Sequence, residues 1–589
     1  MTVIAGIVSL RPGFSVPDDA CREIRAAMSR HPDERVHELR GPRHYLAKFD
    51  IGAFGAPGLH VDETGAVSLL AGEPLLDAAG RGRKRPRSED LQELHRCWRR
   101  QDRSLLRATR GAFCLAQFDP ATHRLDLVAD KLGLRSLYYH LSDEYVVFAS
   151  VLRVLEGCRF VERRMDVQGV AEMAAMRIAL ADRTPYADVK LLKAGQILSL
   201  SDDRRSIDTY WRWDTIAPAS APKQELRQEA YRRFTEAVRL RLGDDRAAVA
   251  LLSGGLDSRC IVTALKEAGA TLYTYSVAFD GTLDKPLAEA YAQAIGSIHR
   301  HVPVTPDRDF SPLNNVLPLL YATEFDPGAC PERPRVIWSG EGGSGVIGCV
   351  GQTAEVVALL RQGHISAAAE KFLMGKRQRL PRKLFARSVA DLISDLPRRG
   401  LEERLRAFEC ADAGRAISIF DLIDYQSRHL NDHYESIDQT RVELETPFYD
   451  SEFMALMYSV AIDDCLYHDF YHAWLKEFPP VATSVPWQTY PGHRPCPLPL
   501  PDGIRDQWTK SRESGWQRKL ARQRLRSLDL VLAGTPFPDP LLDRLALALV
   551  RWSTRLGLGS YGYVLSRAEL FGKYWRACGG RFVMPQRAP

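Results

Sequence analysis

The sequence predicts two differently built regions: a β-rich α+β region, then an α/β region with a parallel sheet and a mostly helical end. Short runs of alternating apolar and polar residues, typical of strands, recur through about residue 205. A Pro/Ala-rich segment at residues 217–222 is typical of a linker. Beyond it, helical patterns alternate with short apolar runs. This alternation predicts parallel strands joined by helices, with a ligand at the carboxyl ends of the strands.

The individual elements follow from these periodicities. In the first region we predict strands over Val3–Leu10, Arg43–Phe49, Val67–Ala71, Ala112–Phe118, Leu125–Ala129, Ser136–Tyr139 and Tyr145–Ala149. In the second we predict helix Leu226–Leu242, strand 247–252, helix 259–268, strand Leu272–Phe279, helix Ala288–Ile295 and strand His301–Val304. The predicted domains are residues 1–212, 223–500 and a helical extension over 501–589.

Composition narrows the class of protein. A chain of 589 residues is too long for a single hydrophobic core. Its 45% hydrophobic residues exclude disorder of the whole chain. The net charge of +6, from 80 basic and 74 acidic residues, is too small to predict a nucleic-acid partner. The 11 cysteines include no C-x-x-C pair, which favours reduced thiols over disulfides or zinc. With neither a signal peptide nor a transmembrane segment in the pattern, we expect a cytoplasmic protein without a membrane partner.

The segment Ser253-Gly254-Gly255-Leu256-Asp257-Ser258, here called the pyrophosphate loop, lies between a predicted strand and a predicted helix. Glycines let backbone N–H groups approach an anion closely, and the helix N-terminus adds its positive dipole end. The serines add hydroxyl donors, and the carboxylate of Asp257 suits Mg²⁺. Because no Lys follows the second glycine, cleavage at the γ-phosphate is not the first expectation. An ordinary Gly-Gly turn is the alternative reading.

Several motifs in one order resemble the asparagine synthetase family over roughly residues 1–500. They are Thr2–Val8, Arg110–Phe113, Ala129–Tyr139, Phe148–Ser150, Tyr210-Trp211, the pyrophosphate loop, Ser276–Phe279, Ser339–Gly342 and Glu443–Asp450. The resemblance implies a glutaminase domain of the N-terminal nucleophile hydrolase type, followed by an ATP-pyrophosphatase domain. It also implies ATP and Mg²⁺ as cofactors, and cleavage of ATP to AMP and pyrophosphate.

The glutaminase motifs depart from the family pattern. Thr2 stands where the family has its nucleophilic cysteine, and Val3 replaces the glycine that follows it. The family's Asn-Gly-Glu glutamine pocket reads Ala71-Gly72-Glu73. We therefore predict an inactive glutaminase domain, with Thr2 as a substitute nucleophile as the alternative. The same loss is known in relatives that use a substrate's own amine: β-lactam and carbapenam synthetases, and lasso-peptide cyclases.

The resemblance also assigns roles in the second domain. Leu251, Val277 and Gly340 would bracket adenine and ribose. Ser253, Gly254, Gly255 and Ser258 would hold phosphates, and Asp257 would bind Mg²⁺. Glu341 occupies the position of the family's catalytic Glu, where β-lactam synthetase has Tyr, and Glu443 matches the carboxylate that partners this Tyr. A carboxylate in a water-poor site can have its pKa raised, which suits removal of a proton from an ammonium. The alternative for Glu443 is a structural salt bridge.

Two further departures concern the phosphates and the metal. Ser344 replaces the second Mg²⁺-binding Asp, and the family's late Lys has no clean match, with Arg494 as a weak substitute. We predict an AMP-forming amide ligase, most simply a lasso-peptide cyclase acting on a precursor peptide, with a leader-peptide-binding protein and a protease as partners. The alternatives are an asparagine synthetase-like or β-lactam synthetase-like enzyme with a small substrate, and a catalytically degenerate nucleotide-binding protein.

Overall fold

The computed structural model describes residues 3–31, 34–76, 84–202, 204–278, 281–303, 336–504, 506, 514–533, 536–559 and 561–585. The chain divides into two compact units. The first contains Met1–Phe160, Leu192–Val350 and Asp421–Asp506, and the second contains Val161–Leu191, Gly351–Phe420 and Gln507–Pro589. The predicted domain limits divide the chain differently, and they stay a prediction.

The amino-terminal half of the first unit contains two antiparallel sheets. One sheet contains, as neighbours in this spatial order, the strands Tyr138–Leu141, Tyr145–Ala149, Val3–Ser9, His44–Phe49 and Val36–Gly41. The other has, within the described part of the chain, six strands in the order Arg205–Thr209, Gln196–Leu200, Arg124–Ala129, Phe113–Asp119, Val67–Gly72 and Leu59–Val61. Apolar side chains of both sheets, including Ile4, Leu46, Leu69 and Phe118, share one core. The predicted β-rich region is confirmed.

A parallel sheet forms the second half of this unit. Among the described residues it has five strands, in the spatial order Ile298–Pro303, Thr271–Ala278, Ala247–Leu251, Val336–Trp338 and Glu443–Glu445. From Ala247–Leu251 the chain builds outward on one side, and it later returns to place Val336–Trp338 on the other side. The carboxyl ends of these two neighbouring strands therefore form a topological switch point, where open α/β sheets bind ligands.

Helices of the first unit cover these sheets and connect their strands. Their bounds are Asp18–Met28, Arg87–Arg99, Ser104–Ala108, Leu152–Gly157, Lys223–Leu242, Asp257–Glu267, Asp284–Ile295, Gly343–Val346, Ser427–His429, Asn431–Glu435, Ile437–Thr440, Ser451–Ser459, Ile462–Cys465 and Asp469–Trp474. The predicted elements between residues 226 and 304 are all present, with ends shifted by up to four residues. The strands Val336–Trp338 and Glu443–Glu445 of the parallel sheet are not among the predicted elements, because three residues carry no periodicity that can be read.

The second unit is mostly helical, as predicted for residues beyond 350. Its helices are Val167–Met176, Ala354–Arg361, Ile365–Gly375, Ala390–Arg406, Ala416–Ile419, Ser514–Leu532, Arg544–Arg555 and Gly562–Ala577. A short parallel pair joins Met165–Asp166 to Phe582–Val583. Across the residues described in both units, no helix combines the length and the apolar character needed to cross a bilayer.

Candidate active site

The pyrophosphate loop connects the central strand Ala247–Leu251 to the helix Asp257–Glu267. The Oγ of Ser258 accepts a hydrogen bond from the N–H of Ser253 at 3.0 Å and lies 3.1 Å from the Oγ of Ser253. The N–H of Gly255 donates to the Oγ of Ser253 at 3.2 Å. Both hydroxyls thus shape the loop, at the N-terminus of a helix whose dipole favours an anion. This geometry supports the predicted phosphate site, while the contacts themselves stay a prediction.

Gly254 has a different role from the predicted one. Its N–H donates to Oδ1 of Asp284 at 3.1 Å, and its carbonyl accepts from the N–H of Gln488 at 2.8 Å. A phosphate bonded to this N–H would have to displace Asp284. Gly254 therefore holds the loop against its neighbours, and the structure does not support its N–H as a phosphate donor.

The three residues expected around adenine and ribose lie at one edge of the parallel sheet. Leu251 ends its strand, Val277 is the next-to-last residue of Thr271–Ala278, and Gly340 lies two residues after Val336–Trp338. All three are half-buried. Their common location follows from the parallel strand directions, and their contacts with a nucleoside stay a prediction. Phe279, which ends the predicted strand, lies outside the described residues.

Asp257 has a negative charge that no cation balances among the described residues. Its Oδ1 accepts hydrogen bonds from the hydroxyls of Ser344 and Tyr471, each at 2.8 Å. Burial raises the pKa of Asp257, and these two hydrogen bonds only partly offset that effect. A carboxylate with no ion pair, beside a helix N-terminus and hydroxyl oxygens, has the hard oxygen character that Mg²⁺ requires. The residues therefore fit the implied metal.

Glu341 lies on the loop Ser339–Gly345, directly after the strand next to the pyrophosphate loop. Its side chain is exposed to solvent, although protein atoms surround it on several sides. This crowding raises the pKa of Glu341, and the negative charge of Asp257 raises it further. Close approach of the two loops depends on Gly343, because a Cβ there would lie 2.7 Å from Cγ of Asp257. The structure thus brings Glu341 and Asp257 together, and the role of Glu341 as a base stays a prediction.

Glu443 is placed differently from Glu341. It begins the strand Glu443–Glu445, opposite Val336, whereas Glu341 follows the other end of that neighbouring strand. Its fully buried carboxylate pairs with Arg135, whose guanidinium stacks 3.8 Å from the Tyr434 ring centroid. Burial alone would raise the pKa of Glu443, but Arg135 outweighs it and lowers this pKa. The expected raised pKa is therefore wrong for Glu443, and the geometry matches the alternative of a structural salt bridge.

Two residues of this site were not singled out by the sequence analysis. Arg259 is buried and donates to the carbonyls of Ala482, Val485 and Pro486 at 2.6–3.0 Å. It thereby fixes the segment that brings Gln488 to the pyrophosphate loop. The second residue is Tyr471, whose hydroxyl donates to Asp257. A basic side chain directly after the motif was the available signal for Arg259.

The weaker candidates are also placed. Arg494 pairs with Asp469 at 2.6 Å, so its charge is already balanced on the surface. His468 and His472 belong to an aromatic cluster, and no group of three or more metal-ligating side chains occurs among the described residues. No replacement for the family's late Lys follows from these contacts.

Glu73, the last residue of the segment that the resemblance assigns to the glutamine pocket, is paired within the chain. Glu73 is buried, and its Oε2 lies 3.1 Å from Nζ of Lys84, which also donates to the carbonyl of Arg241 at 3.0 Å. The cavity that Glu73 borders measures about 20 Å³, which is room for roughly one water molecule. Thr2 lies outside the described residues.

Two protein families match consecutive parts of the chain. The glutamine amidotransferase domain family matches residues 80–211, and the asparagine synthase family matches residues 229–477. Two solved structures are similar at a TM-score of 0.23, which is too low to carry an argument. They are the allosteric regulatory enzyme of purine biosynthesis (10% identity, 51% of this chain and 80% of that one) and glutamine phosphoribosylpyrophosphate amidotransferase from B. subtilis (11%, 52% and 94%).

Curated relatives named asparagine synthetases are similar to parts of this chain. A putative glutamine-hydrolysing asparagine synthetase 2 of Methanocaldococcus jannaschii is 28% identical over 255 residues, covering 40% of this chain and 48% of the relative. Asparagine synthetase 1 of Bacillus subtilis is 23% identical over 294 residues, covering 48% and 46%. The chain thus spans about half the length of these relatives. The chain is thus similar to the glutamine amidotransferase domain family over residues 80–211 and to the asparagine synthase family over residues 229–477, in this order.

Proposed function

We propose that this chain is an ATP-dependent, AMP-forming amide ligase whose amine does not come from glutamine. The observation that carries the proposal is the pair of carboxylates, Asp257 and Glu341, which have no ion pair among the described residues and lie beside the pyrophosphate loop at the switch point of the parallel sheet. In the first step a substrate carboxylate attacks the α-phosphate of ATP, forming an acyl-adenylate and releasing pyrophosphate. In the second, an amine displaces AMP, forming the amide and losing a proton.

The residues of the site have separate tasks in these steps. The pyrophosphate loop and the helix N-terminus would bind the departing pyrophosphate. Asp257 would hold Mg²⁺, which when bound neutralises charge on the phosphates. Glu341 would accept the proton of the attacking ammonium, because its raised pKa makes it a better base than an ordinary carboxylate. Glu443 has no task here, since its charge is neutralised by Arg135.

The ion pair of Glu73 supports an amine source other than glutamine. In the family pattern Glu73 belongs to the glutamine pocket, but here the Lys84 ammonium pairs with that carboxylate. Thr2 in place of the family cysteine points the same way. We therefore propose an inactive glutaminase domain that is retained as a scaffold.

Within this class we propose macrolactam formation in a precursor peptide, as in lasso-peptide cyclases, with a leader-peptide-binding protein and a protease as partners. A substrate's own amine then replaces ammonia. Glu341 argues against a β-lactam synthetase-like enzyme, because that branch has Tyr at this position. A small amino acid derivative remains the alternative substrate.

The test measures the release of pyrophosphate and AMP from ATP in the presence of candidate peptides and small carboxylates. Mass spectrometry then gives the mass of the acceptor. We expect one AMP per amide bond, a product lighter than its substrate by one water, and no requirement for glutamine. Asp257→Ala should abolish pyrophosphate release, with circular dichroism as the control for folding. Glutamine-dependent product formation, or equal release by the variant, would overturn the proposal.

A further inference from the structure

Asp257 is held by two hydroxyls that come from distant parts of the sequence. Ser344 and Tyr471 are 87 and 214 residues away, and both donate to the same oxygen, Oδ1, at 2.8 Å. Two donors occupy the lone pairs of that oxygen. The backbone of Ser344 also hydrogen-bonds this carboxylate, and no cationic side chain of the described residues pairs with it. The side chain is therefore held in one orientation by neutral donors, and its charge is left for a cation.

Neutral donors have an effect here that a cationic partner would not have. An Arg or Lys beside Asp257 would cancel its charge, as Arg135 does for Glu443. A hydroxyl orients the carboxylate and leaves the full negative charge available to a metal ion. Orienting partners of this kind tune metal affinity from outside the ligand shell.

The position of Tyr471 is itself strongly determined. Its ring is fully buried, and its hydroxyl also lies 3.7 Å from Sγ of Cys260 on the helix that follows the pyrophosphate loop. The helix Asp469–Trp474 begins after two consecutive left-handed residues, Tyr467 (φ 56°) and His468 (φ 68°). Such backbone is costly for side chains larger than Gly and persists only where the surroundings impose it.

A second contact packs the segments that carry the two donors against each other. Ser344 lies on the short helix Gly343–Val346, and Gly348 follows that helix. The ring of His468 packs so closely on Gly348 that a Cβ there would lie 2.1 Å from its Cδ2. The segment that carries Ser344 is thus packed directly against the turn that positions Tyr471.

We propose that Tyr471 and Ser344 are positioning residues that hold the Asp257 carboxylate in the orientation in which it would bind the Mg²⁺ of bound nucleotide. The family binds the metal with a second carboxylate at the position of Ser344. Here the two hydroxyls would instead orient the one carboxylate that remains. The inference deepens the proposed function and rests on it. It predicts a metal site with one protein carboxylate, whose affinity depends on two neutral hydroxyls.

The experiment measures binding of α,β-methylene-ATP, which cannot release pyrophosphate, by calorimetry over a range of Mg²⁺ concentrations. For Tyr471→Phe we expect the half-saturating Mg²⁺ concentration to rise about tenfold or more, with binding in excess Mg²⁺ retained. Ser344→Ala should change it in the same direction. Tyr45→Phe, which removes a buried hydroxyl bonded to Glu38 at 2.8 Å, is the matched control and should leave Mg²⁺ dependence unaltered.

The outcomes separate the two proposals. An unaltered Mg²⁺ dependence in both Tyr471→Phe and Ser344→Ala, in protein that binds the analogue, overturns the positioning role alone. A wild-type protein without Mg²⁺-dependent binding overturns the proposed function and this inference with it. Retained binding in excess Mg²⁺ distinguishes a displaced metal from an unfolded variant, and Ser344→Ala tests the proposal should Tyr471→Phe fail to fold.

Discussion

Two groups of acidic side chains in the first unit differ in how their charge is balanced. Asp257 and Glu341 at the switch point face hydroxyls and each other, and both pKa values are raised. Glu443 and Asp450, beneath the amino-terminal half, face arginines, and both pKa values are lowered despite full burial. An acid paired inside the protein cannot lose its partner without leaving a buried charge, whereas an acid left without a cation is available to a ligand. The contrast separates the candidate catalytic carboxylate from the structural one.

The largest expected effect tests the first side of this comparison. Glu341→Gln removes the proton acceptor but keeps its size, so we expect amide formation to slow by about 10²–10⁴-fold. Pyrophosphate exchange into ATP, which reports adenylation, should persist because it needs no base for the amine. Rapid-quench measurement of both steps checks this. An equal loss of exchange would assign Glu341 to adenylation instead.

The second prediction concerns the buried pair of Arg135 and Glu443. Glu443→Gln leaves a guanidinium buried without its counterion, and we expect the free energy of unfolding in urea to fall by roughly 3–5 kcal/mol. Amide formation by the folded protein should change only a few-fold. Arg135→Met combined with Glu443→Leu should recover part of the stability. A hundredfold slower reaction at full stability would restore Glu443 as a base and break the comparison.

A smaller effect is the pH dependence of stability at two positions of one strand. Arg135 lowers the pKa of Glu443. The contribution of ionised Glu443 to the free energy of unfolding is therefore fully present above its ordinary pKa of 4.5, and it is lost as the pH falls through the folded-state pKa. Burial raises the pKa of Glu445 despite nearby Lys84. The folded state then keeps a proton that the unfolded state releases, so stability falls as pH rises from 4.5 toward the raised pKa.

Urea unfolding of Glu443→Gln and Glu445→Gln between pH 4 and pH 8 measures these opposite trends. At the acidic end of this range, the free energy of unfolding of Glu443→Gln should approach that of wild type. Glu445→Gln should gain relative stability as pH rises. Parallel curves for both variants would show that the two neighbouring acids share one environment.

The smallest expected effect is at Thr2. If the glutaminase domain is inactive, neither wild type nor Thr2→Ala hydrolyses glutamine, and both form the amide at the same rate. Glutamate release from glutamine, measured for wild type and variant, checks this. Hydrolysis that disappears in Thr2→Ala would show a working Thr nucleophile.

The sequence predicted what depends on local pattern. The pyrophosphate loop between a strand and a helix follows from apolar runs and glycines that lie next to each other in the chain. The role of Glu443 did not follow, because Arg135 lies 308 residues away and no local pattern indicates such a pair. Tyr471 was not singled out for the same reason. Burial of its ring was predictable, but its hydroxyl bond to Asp257 was not.

The bonds at Asp257 also have a consequence for how the protein folds. The hydroxyl of Tyr471 lies 214 residues from its acceptor, and Arg259 reaches carbonyls 223 to 227 residues away. Contacts of such separation form late and slowly, because a long chain must first be ordered. During synthesis the pyrophosphate loop therefore emerges long before the groups that complete it. We expect nucleotide binding to be acquired only near the end of folding, which makes it a sensitive measure of complete assembly.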